Sequence, residues 1–172
     1  MAKKKAAGHA PTPAVVALTR AKAPHTLHHV DADDGHGPAD ALGVGERMAA
    51  ALGVDPARVF KTLMVQVPDG SLAACVVPVS GQLDLRAAAR ALGAKKTGMA
   101  DRDEAERRTG YVRGGISPLG QRQRCPVVVD ETALAWDTVF VSGGQRGLDI
   151  EIAPAELVRV AQALVAPIGR DG

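Results

Sequence analysis

A chain of 172 residues suits one domain with a core of its own. Hydrophobic residues make up 46% and aromatic ones only 2%. That excludes a disordered chain and a platform of several aromatic rings for stacked bases, so Val, Leu, Ile and Ala must fill the core. A net charge of +2 excludes a uniformly basic surface, leaving phosphate contacts to local clusters.

Residues 1–12 read as a flexible basic tail, with a single domain over 13–172. Thr12 before Pro13 predicts a helix start, a hydroxyl cap with proline at the first helical position, running to about Lys22. A short strand follows over 25–30, then a polar turn, "DADDGHGPAD". "ADALGVGERMAAALG" carries Leu42, Met48, Ala49 and Leu52 at helical spacing and stops at Gly53. Asp55-Pro56 predicts one further helical turn.

"KTLMVQV" then alternates, placing Lys61, Leu63, Val65 and Val67 on one face of a strand. "PDGS" is a hairpin turn and "LAACVVPV" the returning strand. Asp84 caps "LRAAARALG", which stops at Gly93. Asp101 with Glu104 predicts a capping box for "RDEAERRTG". "CPVVVD", "DTVFVSGG" and "LDIEI" read as three more strands, the last two joined by a glycine turn, and "APAELVRVAQALV" as a closing helix. Short turns between strands favour antiparallel pairing. The expected fold is mixed α/β, a largely antiparallel curled or barrel-like sheet surrounded by helices.

Cys75 and Cys125 make no disulfide framework and read as reduced thiols of a cytoplasmic protein. No signal-peptide core or membrane-spanning run is read, so no membrane partner is expected.

Lys61 must either snorkel out at the sheet edge or offer its cation at the mouth of a pocket. "GYVRGGISPLGQ" (110–121) has no apolar period, yet such a loop needs a reason to be ordered. Two glycines able to take positive φ could turn the amides of Gly114, Gly115 and Ile116 toward one point; a tight surface connection explains them equally well. Ser142 and Asp149 flank the second glycine turn, which does not itself require them to be polar. Lys95-Lys96, Arg107-Arg108, Arg113, Arg122, Arg124 and Arg146 border both glycine loops and suit a phosphate-bearing ligand. His25, His28, His29 and His36 among Asp31, Asp33 and Asp34 lack a metal-site spacing and read as a solvated polar loop, with no metal or other cofactor expected.

"VFKTLMV" (59–65), "GYVRGGISPLGQ" (110–121) and "VSGGQRGLDIEI" (141–152) resemble, in order and approximate spacing, the motifs of the YbaK/EbsC family. Those proteins are aminoacyl-tRNA deacylases related to the editing domain of some prolyl-tRNA synthetases. The resemblance implies hydrolysis of cysteine mischarged on tRNA(Pro), and of Cys-tRNA(Cys), without a cofactor. The cysteine thiol would attack its own ester, so no protein nucleophile is required. It implies that Lys61 is the essential lysine with Thr62 beside it, and that Gly114 and Gly115 belong to the loop whose amides surround the ester. Ile116, Ser142 and Asp149 would line the substrate pocket. Val30 and Leu42 stand where the family carries pocket aromatics. Arg113, Arg122 and Arg146 would meet tRNA, with prolyl-tRNA synthetase as a further partner. A deacylase for another small residue such as alanine, or a silent tRNA- or synthetase-binding protein, are the competing readings.

Overall fold

Thr12 opens the first helix as its sequence predicts. Its Oγ1 accepts from the Val15 N–H at 3.3 Å, and α1 spans Pro13–Arg20. The same hydroxyl donates to the Gly143 carbonyl, tying the helix start to a distant strand. The computed structural model describes residues 10–31 and 43–171. The tail before Ala10, most of the polar turn and Leu42 lie outside those residues.

Strand β1 is His25–His29. Helix α2, Val44–Leu52, ends at Gly53, and a 3-10 turn over Pro56–Arg58 is capped by Asp55 as expected. The predicted hairpin forms from β2, Phe60–Gln66, and β3, Leu72–Pro78, paired from Phe60 opposite Pro78 to Gln66 opposite Leu72. A short β4, Gly81–Leu83, leads into α3, Leu85–Leu92, where Asp84 Oδ1 accepts from the N–H groups of Arg86 and Ala87. Then come β5, Gly98–Met99, and α4, Arg102–Thr109. Beyond the glycine loop lie β6, Val127–Asp130, β7, Val139–Gln145, and β8, Leu148–Ile152. The chain closes with α5, Pro154–Ala161, β9, Leu164–Ala166, and β10, Gly169–Asp171.

The mixed α/β architecture agrees with the sequence, but the described strands form three sheets rather than one closed barrel. A five-stranded sheet runs β5-β2-β3-β6-β9, a three-stranded sheet β1-β8-β7, and β10 pairs with β4. A parallel bridge from Val59 to Phe140 stitches the first two together. Strand β3 is buried on both faces. Ala74 and Val76 join Phe60, Met64, Ile150 and Leu157 in one core, while Ala73, Cys75 and Val77 meet Ala87 and Ala88 of α3 in another. Such two-sided burial suits a run with little polar alternation.

Three local expectations are corrected. The closing helix stops at Ala161, because Gln162 turns left-handed at φ 50 and Leu164–Ala166 pairs parallel with β6. A short apolar run satisfies either period, and the open edge of β6 decides for the strand. Gly143 and Gly144 sit within β7, where the register shifts between Ser142 and Gln145, and the chain reverses instead at Arg146-Gly147. The capping box is half formed. Asp101 Oδ2 accepts from the Glu104 N–H at 3.1 Å, but the Glu104 carboxylate goes to Arg107 and Arg108. Two charged partners on its own helix outcompete one backbone N–H.

Candidate functional site

A cavity of about 790 Å³ opens between α2, α4 and β2 and ends at the glycine loop and the β7–β8 hairpin. That volume falls in the range of small-ligand sites. Gly45 lets α2 approach closely, since a Cβ there would lie 2.2 Å from Val79 Cγ1. Lys61, Thr62, Arg113, Gly114, Ile116, Ser142, Arg146 and Asp149 all line the cavity.

Alternation along β2 places two of them. Lys61 shares a face with Leu63 and Val65, as predicted, and Thr62 shares the opposite face with Phe60 and Met64. Among the described residues, Lys61 has no carboxylate partner. Its Nζ donates to the Gly81 carbonyl at 3.1 Å, which fixes the ammonium at the cavity wall. An ammonium has three N–H donors, so one neutral acceptor leaves capacity for a ligand. Thr62 Oγ1 is buried with no hydrogen-bond partner among the described residues, a costly arrangement in a protein alone.

The glycine loop is ordered from inside. Tyr111 is buried and donates its hydroxyl to the Leu119 carbonyl at 2.6 Å, and Gln121 Nε2 donates to the Ser117 carbonyl at 3.0 Å. Burial pushes the Tyr111 phenol up to about 12, so it stays a donor. The two central glycines serve different needs. Gly114 has φ 86, whereas Gly115 has none of that strain and is held by close approach, since its Cβ would stand 3.0 Å from the Gln145 backbone. The Gly115 N–H donates to the Val112 carbonyl at 2.9 Å. The Gly115 amide is thus engaged within the loop, while Gly114 and Ile116 line the cavity. Arg146 Nε and Nη2 both donate to the Arg113 carbonyl, at 3.0 and 2.9 Å, and latch the hairpin tip onto the loop.

Asp149 and Ser142 face each other across β8 and β7. Asp149 is only 6% exposed, and loss of water pushes its carboxyl up to about 7. A carboxyl that titrates near neutrality beside a cavity can both accept and return a proton. His28 is the β1 residue opposite Asp149, yet its Nε2 meets Glu151 Oε1 at 2.9 Å. Glu151 also takes the Thr138 hydroxyl at 2.6 Å and lies 3.4 Å from Arg58 Nη2. Hydrogen bonds from Thr138 and His28 hold the Glu151 carboxyl below the usual range.

Other sequence-predicted residues stay apart. Val30 does not line the cavity; its N–H donates to the Gly147 carbonyl at 2.8 Å. Arg122 packs against Gly110 at the far end of the loop, and Leu42 lies outside the described residues. Arg107 and Arg108 pair with Glu104, and Arg124 with Gln162. The His25 ring meets the Ala23 carbonyl at 2.7 Å. His36, Asp33 and Asp34 lie outside the described residues. Conversely, Met99, Arg102 and Glu106 line the cavity without having been singled out. The four-residue spacing of Arg102 and Glu106 after the Asp101 cap was the available signal, since it puts both on one helix face.

A family model described as an aminoacyl-tRNA editing domain matches residues 40–160. EbsC of Enterococcus faecalis, described as a candidate Cys-tRNA(Pro)/Cys-tRNA(Cys) deacylase, is 36% identical over 72% of this chain and 75% of its own. A crystal structure described as a candidate trans-editing enzyme for prolyl-tRNA synthetase superimposes with a TM-score of 0.78 at 25% identity, covering 92% of this chain and 95% of that one. A hypothetical protein of known structure shares the fold, with a TM-score of 0.79 at 24% identity over 92% of this chain and 99% of that one.

Proposed function

Since this chain belongs to the aminoacyl-tRNA editing domain family, we propose that it removes cysteine from mischarged tRNA(Pro), and also from tRNA(Cys). It is an aminoacyl-tRNA deacylase, and the observation that carries the narrower reading is the joint placement of Lys61, Gly114, Ile116, Ser142 and Asp149 around one cavity. A synthetase site built for proline gains only about 1–3 kcal/mol from small apolar differences, so a second, hydrolytic site is the chemical remedy for cysteine.

In this reading the aminoacyl-adenosine end enters between α2 and α4. Lys61 meets the oxygen-rich ribose or its phosphate, and Thr62 gains the partner that its buried hydroxyl lacks. Ionised Asp149 takes the proton from the substrate thiol. The sulfur attacks the ester carbonyl carbon, forming a C–S bond and an oxyanion beside the Gly114 and Ile116 amides. As the carbonyl re-forms, the C–O bond to the ribose breaks, and the proton on Asp149 passes to the departing hydroxyl. Water then opens the cyclic thioester. Holding thiol and ester together is itself a large contribution, because the attack is intramolecular.

The carboxyl near neutrality also supports a second reading, in which Asp149 activates water and the substrate carries another small residue such as alanine. Comparing Cys-, Ala- and Ser-tRNA(Pro) side by side tests the two. Thiol assistance expects turnover of the cysteinyl ester alone. Equal turnover of the alanyl ester would overturn it. Binding of all three with no turnover would favour an accessory role, which the cavity chemistry does not support.

A further inference from the structure

Asp130 carries a buried carboxyl group that the deacylation chemistry does not use, and it does not line the cavity. Its Oδ1 accepts the N–H groups of Ile168 and Gly169, at 3.0 and 2.8 Å. Its Oδ2 accepts the Thr132 N–H at 3.3 Å and the Thr132 hydroxyl at 2.5 Å. Gly169 fits closely against it, since a Cβ there would stand 3.2 Å from Asp130 Cγ. Asp130 thereby grips the start of β10.

The gripped segment leads to Lys61. Strand β10 pairs antiparallel with β4, Gly169 opposite Leu83 and Asp171 opposite Gly81. Gly81 supplies the carbonyl that takes the Lys61 ammonium at 3.1 Å. The two strands are in close contact there, for a Cβ on Gly81 would lie 2.7 Å from the Arg170 carbonyl oxygen. Just beyond β4 the Ile168 carbonyl accepts from the Asp84 N–H at 2.8 Å. The Ile168 side chain is buried in one cluster with Val65, on the face of β2 that carries Lys61. The turn before β4 is tied separately, where the Val79 N–H donates to the Val59 carbonyl at 2.8 Å. Two three-residue strands have little stability as a pair, so their anchors set their place.

We propose that Asp130 is a positioning residue for Lys61, an inference that rests on the deacylase reading above. It holds β10 against β4, and β4 presents the Gly81 carbonyl that aims the ammonium at the cavity. Its effect reaches the substrate through the lysine. A shift of about 1 Å in a group that orients substrate can slow a reaction about 10²-fold.

A double-mutant cycle on the full chain tests this, reading kcat/KM for Cys-tRNA(Pro) from the wild type, Asp130→Ala, Lys61→Ala and the double variant. Asp130→Ala is expected to lower kcat/KM about tenfold when Lys61 is present, and by less than about twofold when it is replaced. Asp130→Asn, which keeps an acceptor oxygen for Ile168 and Gly169, is expected to restore most of the loss. Gly81→Ala pushes on Arg170 from the other strand and leaves untouched the cap that Asp130 gives to residues 131–135, so it repeats the cycle independently. Equal losses with and without Lys61 in both cycles, or no loss in either, overturn the proposal. The Asp130→Ala and Gly81→Ala variants are also labelled with acetic anhydride in the absence of substrate. Acetylation of Lys61 relative to the exposed Lys95 and Lys96 is expected to rise in each, and an unchanged ratio overturns the proposal as well. The labelling separates the two readings. Wild-type turnover of Cys-tRNA(Pro) with an unchanged ratio discards the brace and keeps the deacylase, and a raised ratio in a chain without turnover does the reverse.

Discussion

Ser142 and Asp149 are direct partners in the β7–β8 ladder, so residues from two adjoining strands present hydroxyl and carboxyl to one cavity. The pairing depends on a reversal at Arg146-Gly147, which sets the register that a turn at the preceding glycines would have shifted. The buried carboxyl of that pair gives the most direct test of the chemistry.

If ionised Asp149 is the proton acceptor, kcat/KM for Cys-tRNA(Pro) rises with pH and levels above about 7, where its carboxyl titrates. Asp149→Asn is expected to flatten that profile and lower kcat/KM about 10²- to 10⁴-fold. A stopped-time deacylation series across pH reads both, and an unchanged profile removes Asp149 from the mechanism.

The same carboxyl has a consequence for stability. In the folded chain it keeps its proton to about pH 7, while its ordinary value is 3.8. Between those values the unfolded chain binds fewer protons, so this group makes stability fall as pH rises, with the loss complete above about 7. Asp149→Asn should therefore raise stability at about pH 8, by at most about 4 kcal/mol, and change it little at about pH 4. Urea unfolding at the two pH values measures the difference.

Lys61→Ala is expected to lower kcat/KM about 10²-fold, because the cation at the cavity wall is lost. Among the described residues its Nζ bonds one backbone carbonyl, so thermal unfolding should shift little. Full activity in a folded variant would refute the assignment.

Thr62→Val should leave the fold unharmed or more stable by about 1 kcal/mol, since it removes a buried hydroxyl without a partner among the described residues. The same change is expected to raise KM for the aminoacyl-tRNA. A variant that loses stability instead would show that the hydroxyl is satisfied within the fold.

Gly115→Ala places a Cβ 3.0 Å from the Gln145 backbone, which cannot move aside as a side-chain tip can. The expected cost is about 1–3 kcal/mol of stability, together with reduced deacylation as the Gly114 and Ile116 amides shift. Chemical denaturation alongside a kinetic assay separates the two effects.

Much of this architecture was legible along the chain. Thr12, Asp55, Asp84 and Asp101 cap helical segments where their side chains predict, and the β2–β3 hairpin turns at the proline and glycine that signal it. Caps and turns are read within a few neighbouring residues, so local sequence suffices for them. The face of β2 that carries Lys61 was equally visible, because side-chain alternation has a fixed period. Strands β9 and β10 were not, since a short apolar segment becomes a strand only where a partner edge is open.

By itself the sequence determined the mixed α/β class, the main helix starts and the motif residues of the site, because those follow from residue type, local period and motif order. Tertiary structure alone decided which motif residues share the cavity. It left Val30 and Arg122 outside the lining and brought in Met99 and Arg102. It also decided that the Gly115 amide is spent on Val112 and that the Asp149 carboxyl loses its water. Both outcomes arise from segments packed together from distant parts of the chain. Hydrogen-bond partners and desolvation are properties of that packing, and no local pattern encodes them.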